Sequence, residues 1–246
     1  MDQLFVKRHY LDTLLWLFVW SYSFAVIVIG FAPPVQRRFF DEFQEPASIA
    51  LVIHVWSFAA WMCLLGFQAY AAAAKRLAWH RQVGIVMLPL AAVMIWSGLT
   101  SEIQFQQRSL DSGRDNSAFF AVPITYLLTF AVLVWLAWRH RPNPPAHKRL
   151  MLLATAAILG GAHMRIWGDV WPENWFEESF LSRLLFFFGG TIIVVALGMI
   201  YDFLTRRRLN SVYVIGTPCL LAAYVLAITL HDSPSWSEWA RPLLGG

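Results

Sequence analysis

Seven runs, near 13–31, 48–72, 83–101, 118–138, 150–168, 180–203 and 212–230, are largely free of charge. Each matches the roughly 20 helical residues that cross a hydrocarbon core about 30 Å thick. Lipid offers no partner to an open backbone N–H or C=O, so a spanning segment must be a helix or part of a closed barrel, and no run here alternates with the two-residue period of a barrel strand. The chain is therefore predicted to be an all-α integral membrane protein, one polytopic domain over 1–246 with seven transmembrane helices. With 58% hydrophobic and 14% charged residues, a soluble domain of this length is excluded. The first run is too long for a signal-peptide core and lacks a small-residue cleavage site, so it is expected to remain as a span.

Charge at the span ends orients the chain. If the N-terminus is cytoplasmic, that side collects Lys7, Arg8, Lys75, Arg76, Arg81, Arg139, Arg141, Lys148, Arg149, Arg206, Arg207 and Arg208, twelve of the 19 basic residues. Only Asp2, Asp12 and Asp202 of the acidic residues lie there. Lysine and arginine resist translocation, so the expected topology is N-terminus in and C-terminus out, in a bacterial inner membrane. The net charge of +4 thus reports orientation toward the lipid bilayer and not a nucleic-acid partner. Trp171 and Trp175 in the loop 169–179, with Trp236 and Trp239 in the tail, are expected to form an outer aromatic belt. Ser235-Trp236-Ser237-Glu238 has the spacing of a capping box and predicts a short amphipathic helix on the outer surface. Cys63 and Cys219 fall inside apolar runs and are expected to be buried small hydrophobes, not a disulfide.

Ionisable residues inside spans are costly and ask for a reason. The histidines fall into two layers. His54 and His163 lie near the outer ends of spans two and five, whereas His80 and His147 open spans three and five on the inner side, with His140 close by. Two such layers would suit two bis-histidine haem b groups, since haem iron accepts neutral imidazole from facing helices and a helix N-terminus disfavours a protonated ring. Arg81 and Arg149 inside and Arg165 and Arg183 outside are placed to meet propionates. The competing reading treats His80-Arg81 and His147-Lys148-Arg149 as orientation signals alone. His147 and His163, sixteen residues apart, would need a kink to face one interior. His54 shares a helical face with Ser57, Trp61, Leu65 and Gln68. Gln68 and Asp202 are candidate pocket residues. Asp202 is expected to pair with Arg206 at four residues or, as the functional alternative, to contact His80 or His147, and Arg165 is expected to pair with Asp169. Gly160-Gly161 and Gly189-Gly190 suggest close helix packing. Phosphate loops, Cys-x-x-Cys pairs and serine elbows are absent.

A faint internal repeat superposes His80-Arg81-Gln82-Val83 on His147-Lys148-Arg149-Leu150, which would relate spans two and three to spans four and five, the candidate four-helix core. His54, His80-Arg81 with Gly84, the run His147 to Thr155, and Tyr201-Asp202 with Thr205 to Leu209 together resemble a family of uncharacterised bacterial multi-pass membrane proteins. The likeness runs from about His54 to the tail. More distantly the histidine placement is similar to the ascorbate-reducible dihaem b-type cytochromes. That resemblance implies a membrane redox protein that binds haem b and exchanges electrons with a quinone or a membrane redox partner. It supports His54, His80 and His147 but not His163, where the chain departs from the pattern. The alternative is a haem-free small-molecule carrier or an accessory subunit.

Overall fold

The computed structural model describes residues 5, 9–41, 46–172 and 179–245. Lys7, Arg8 and Trp175 lie outside them. Every element is helical among the described residues: α1 Asp12–Phe39, α2 Ile49–Ala73, α3 Leu77–Asp111, a 3₁₀ turn Ser117–Phe120, α4 Ala121–Arg139, α5 Pro144–Ala157, α6 Gly160–Val170, α7 Phe180–Arg206, α8 Ser211–His231 and α9 Pro234–Leu243. Six helices are long and apolar enough to cross a membrane, or seven if α5 and α6 form one span bent by 44°. Cys63 and Cys219 are both exposed, which corrects the expectation of burial. In lipid an outward-facing thiol loses nothing by leaving the protein interior.

The bend interrupts the run 150–168, for which the sequence raises a kink only as what His147 and His163 would need in order to face one interior. Gly160 opens α6 because a methyl there would sit closer than 3.0 Å to the ring of Tyr126, whose hydroxyl donates to the carbonyl of Phe187. At the break the Ala156 carbonyl accepts from the Leu159 N–H at 3.1 Å, and the Thr191 hydroxyl of α7 adds a second donor at 2.9 Å. A helix can be interrupted inside a membrane when neighbours re-satisfy the freed backbone in this way.

This bent span is also the most enclosed part of the bundle. Leu152 to Leu159 are all buried, and α5/α6 packs on α1, α4, α7 and α8. The helices α2 and α3 instead pair chiefly with each other and rest on α1 and α4. The centre of the bundle is therefore not spans two to five as expected. What does match the repeat is the local pairing, since α2 with α3 and α4 with α5 are the two most intimate hairpins.

Glycines set how closely the centre closes. A methyl on Gly189 would meet the Trp167 ring and one on Gly190 the His163 ring, each closer than 3.0 Å. Pro123 falls in the first turn of α4, where the missing N–H costs nothing, so it does not kink that span. At about 52 Å, α3 is longer than a bilayer core, and its far end carries a second small apolar cluster of Phe120, Ala240 and Leu244. There lies the tail helix α9, which follows Ser233 as its N-cap and forms no side-chain cap, so Ser235 lies inside it and the expected capping box is not made. It is tied down by an ion pair of Arg241 with Asp115. Hydrogen bonds from the Ser117 hydroxyl and N–H hold Asp115 below its ordinary pKa. A carboxylate with a lowered folded pKa contributes stability above its unfolded pKa and loses it as pH falls through the folded one. Because the pair is exposed, Arg241→Ala is expected to cost under about 1 kcal/mol, measured by unfolding at neutral pH, and less in acid.

Candidate functional site

At the end of the bundle that carries Arg206, Arg207 and Arg208, two histidines meet. His80 is the fourth residue of α3 and His147 the fourth residue of α5. Each Nδ1 faces a backbone carbonyl of the preceding helix: His147 lies 2.9 Å from Ala137 O and His80 3.3 Å from Gln68 O. A carbonyl can only accept, so a neutral ring carries its proton on Nδ1 and leaves the Nε2 lone pair for another partner. The two rings stand perpendicular with centroids 6.2 Å apart. Both hairpins thus perform the same local act, and it brings together the pair that sequence matched in the repeat.

Gln68 belongs to this neighbourhood. Its backbone oxygen orients His80, and its buried side chain donates weakly to the Met87 sulfur at 3.6 Å while its Oε1 has no partner. Seven and fourteen residues earlier on the same face, Trp61 Nε1 and His54 Nδ1 are likewise buried without a partner. Arg81 is exposed beside His80, and Arg141 lies over the Trp138 ring, 3.4 Å from its centroid.

The outer histidines are not brought together. His54 packs against Phe58 and Gly98 on the α2/α3 side. His163 sits between α1 and α7, where Nδ1 donates to Leu159 O at 2.9 Å and Nε2 accepts from the Tyr22 hydroxyl at 2.8 Å. With both ring nitrogens engaged, His163 has no lone pair to offer a metal, and the two-layer arrangement reduces to one pair. Even with the bend, His147 and His163 face different neighbours. Arg165 donates to Gly161 O at 2.7 Å and lies over the Phe31 ring rather than pairing with Asp169.

Asp202 is not part of the histidine site. Its main partner is Arg149 and not Arg206: Arg149 Nε donates to Oδ2 at 2.6 Å, Nη2 bonds Oδ1, and Nη1 donates to Pro145 O at 2.8 Å. Arg206 Nη1 stands 3.6 Å from Oδ1. Arg149 is thereby committed, so it cannot also serve a propionate. Asp12, at the start of α1, completes the cluster by accepting from Lys148 at 3.0 Å, Arg206 at 2.8 Å and the Tyr201 hydroxyl at 2.7 Å. The sequence signal for Asp12 was its sign, since it is one of the few acids at the basic end. Among the described residues no group of three or more His, Cys, Asp or Glu is arranged to hold a metal ion.

No protein-family model, curated protein or solved structure matches this chain. Its functional reading therefore rests on its own geometry.

Proposed function

We propose that the protein is a membrane-embedded redox protein that holds one b-type haem between His80 and His147 and moves electrons within or across the membrane. The observation that carries this reading is the histidine pair. Each ring keeps its Nε2 lone pair for a further partner, and the two ring centres stand 6.2 Å apart, so His80 and His147 are the residues that would hold the group. A ligating imidazole ordinarily donates its other N–H to a carbonyl or carboxylate that fixes its orientation, and Gln68 O and Ala137 O fill that role here. When bound, the haem would supply one-electron chemistry, its potential tuned by these ligands and their hydrogen bonds. Arg81 and Arg141 are the cations placed to meet propionates once Arg149 is set aside for Asp202.

The basic end is proposed to face the cytoplasm of a bacterial inner membrane, which puts the site within reach of a reductant there and of a quinone or membrane partner in the bilayer. A tag after Gly246 that is reachable only from outside is the expected result, and cytosolic accessibility would reverse the orientation. The site itself is tested by the absorption spectrum of the purified protein. A reduced Soret and alpha band is expected, abolished in His80→Ala and His147→Ala and retained in His54→Ala and His163→Ala. A colourless protein, or bands that survive both inner substitutions, would overturn the assignment.

The haem-free carrier reading drew on Gln68 and Asp202 lining one pocket. Gln68 faces α3, whereas Asp202 is locked to Arg149 between α5 and α7. What still favours a carrier is the row of unpartnered polar atoms on α2. Flux in vesicles that falls in Gln68→Ala but not in Asp202→Asn is the result it requires.

A further inference from the structure

Along the seam between α2 and α3, His54, Trp61 and Gln68 follow one another at seven-residue steps, each burying a polar atom that no other group meets. The facing side of α3 is small. A methyl on Gly98 would stand 3.1 Å from the His54 ring, and one on Gly84 would stand 3.3 Å from the Gln68 amide. That antiparallel register sets Ala91 opposite Trp61, so the small residues keep the same seven-residue step. One turn beyond Gly98 the row continues with Glu102, which accepts from Gln106 Nε2 at 2.7 Å. Gln106 Oε1, with Ser101 Oγ and Gln104 Oε1 beside it, is again buried without a partner. We propose that this row is a proton path, on which protons pass through intervening water between Glu102 and the basic end of the bundle near Gln68.

Burial argues for a bound species. Trp61, Gln68 and Gln106 are 1%, 8% and 0% exposed. A buried polar atom left unpaired is costly, and six along this seam and its far end call for a partner that the side chains themselves do not supply. Space narrows the choice to water. Only glycine lets His54 and Gln68 enter the seam, and α4 closes it, with Phe130 edge-on to Trp61 and Leu127 at Gly98. A solute of several atoms would have to part these helices, whereas single waters bridge polar atoms one at a time. Seven residues rise about 10 Å, which two or three hydrogen-bonded waters span.

The groups suit protons. Glu102 and His54 can each take up and release one, and the Gln68 amide both accepts and donates. The Trp61 N–H only donates, so it anchors a water and carries no proton itself. Arg165 of α6 is the cation facing Glu102, and the Met94 carbonyl faces the His54 ring. A proton taken from water by the Glu102 carboxylate passes by way of His54 to the waters around Gln68 and is released at the basic end. Only O–H and N–H bonds form and break, one positive charge moves, and no co-reactant is consumed. Carboxylate and imidazole chains inside membranes serve proton relays in this way. The path uses neither the His80 nor the His147 Nε2, so it goes beyond the redox reading and does not rest on it.

The purified full chain, reconstituted into vesicles that enclose a pH-sensitive dye, tests the proposal, with a potassium gradient and valinomycin supplying the driving potential. Proton flux should exceed that of protein-free vesicles, and His54→Phe and Glu102→Gln should each cut the excess by about tenfold or more. If His54→Phe does not fold, Glu102→Gln, a near-isosteric change to a half-buried side chain, decides alone. His163→Ala, between α1 and α7, should leave the flux unaltered. No excess flux in the wild type, a flux untouched by Glu102→Gln, or an equal fall in His163→Ala would overturn the path. So would sodium passing as readily as protons, which would mark a hydrated pore. A colourless protein that still conducts would defeat the haem and leave this proposal standing.

Discussion

Asp202→Leu, made alone, is expected to destabilise the folded protein by about 3–5 kcal/mol, because it strands the Arg149 guanidinium in the protein interior. Arg149 and Asp202 are 2% and 1% exposed, and the pair joins α5 to α7 across 53 residues of sequence. Removing the carboxylate leaves Arg149 with the Pro145 carbonyl as its remaining strong acceptor and leaves Arg206 on Asp12 and the Thr205 hydroxyl. The double substitution Arg149→Met with Asp202→Leu removes both charges and fills similar volume, so it should recover most of the loss. Buried ion pairs often add little net stability over an apolar replacement, while half of one is strongly unfavourable. Denaturant unfolding in detergent measures both variants. A single substitution within about 1 kcal/mol of wild type would mean that the pair is solvated and not enclosed. Lys148→Ala is the internal comparison: its side chain is 26% exposed, so its loss should be much the smaller.

Gly190→Ala is the second large effect. The added methyl would fall against the imidazole of His163, closer than 3.0 Å, and that ring is pinned at both nitrogens, by Leu159 O and the Tyr22 hydroxyl. Either α7 moves off α6 or the ring gives up its hydrogen bonds. Overpacking of this kind costs about 1–3 kcal/mol, and leaving a buried hydroxyl or imidazole unpaired adds about 1–3 more. Thermal unfolding should therefore shift strongly downward. His163→Ala combined with Gly190→Ala opens the space and should be more stable than Gly190→Ala alone. If the double variant is the less stable of the two, the clash is not the cause.

These two sites were unequally legible beforehand. Gly189-Gly190 stood out as a close-packing signal, yet nothing in the sequence named His163 as what packs there. Asp202 stood out as a buried charge, but the nearest cation along its helix, Arg206, is the weaker partner, because Arg149 can present two donors to the carboxylate in the fork geometry that suits it. His80 and His147 were singled out by their matching positions at helix starts, and in the fold they face each other. His54 and His163 were matched by depth in the same manner and are not neighbours.

By itself the sequence determined how many apolar runs the chain has, which end is basic and which residues are too polar to face lipid without a reason. Those properties follow from segment length and charge, which act on each helix separately in a bilayer. Which residue meets which was decided only by the tertiary structure. A helix apolar on every side carries no stripe to say which face turns inward, so the hydrophobic pattern that orients a helix in a soluble protein is missing. The choice fell instead to close approach at Gly160, Gly189 and Gly190 and to the few charges that had to find one another across the bundle.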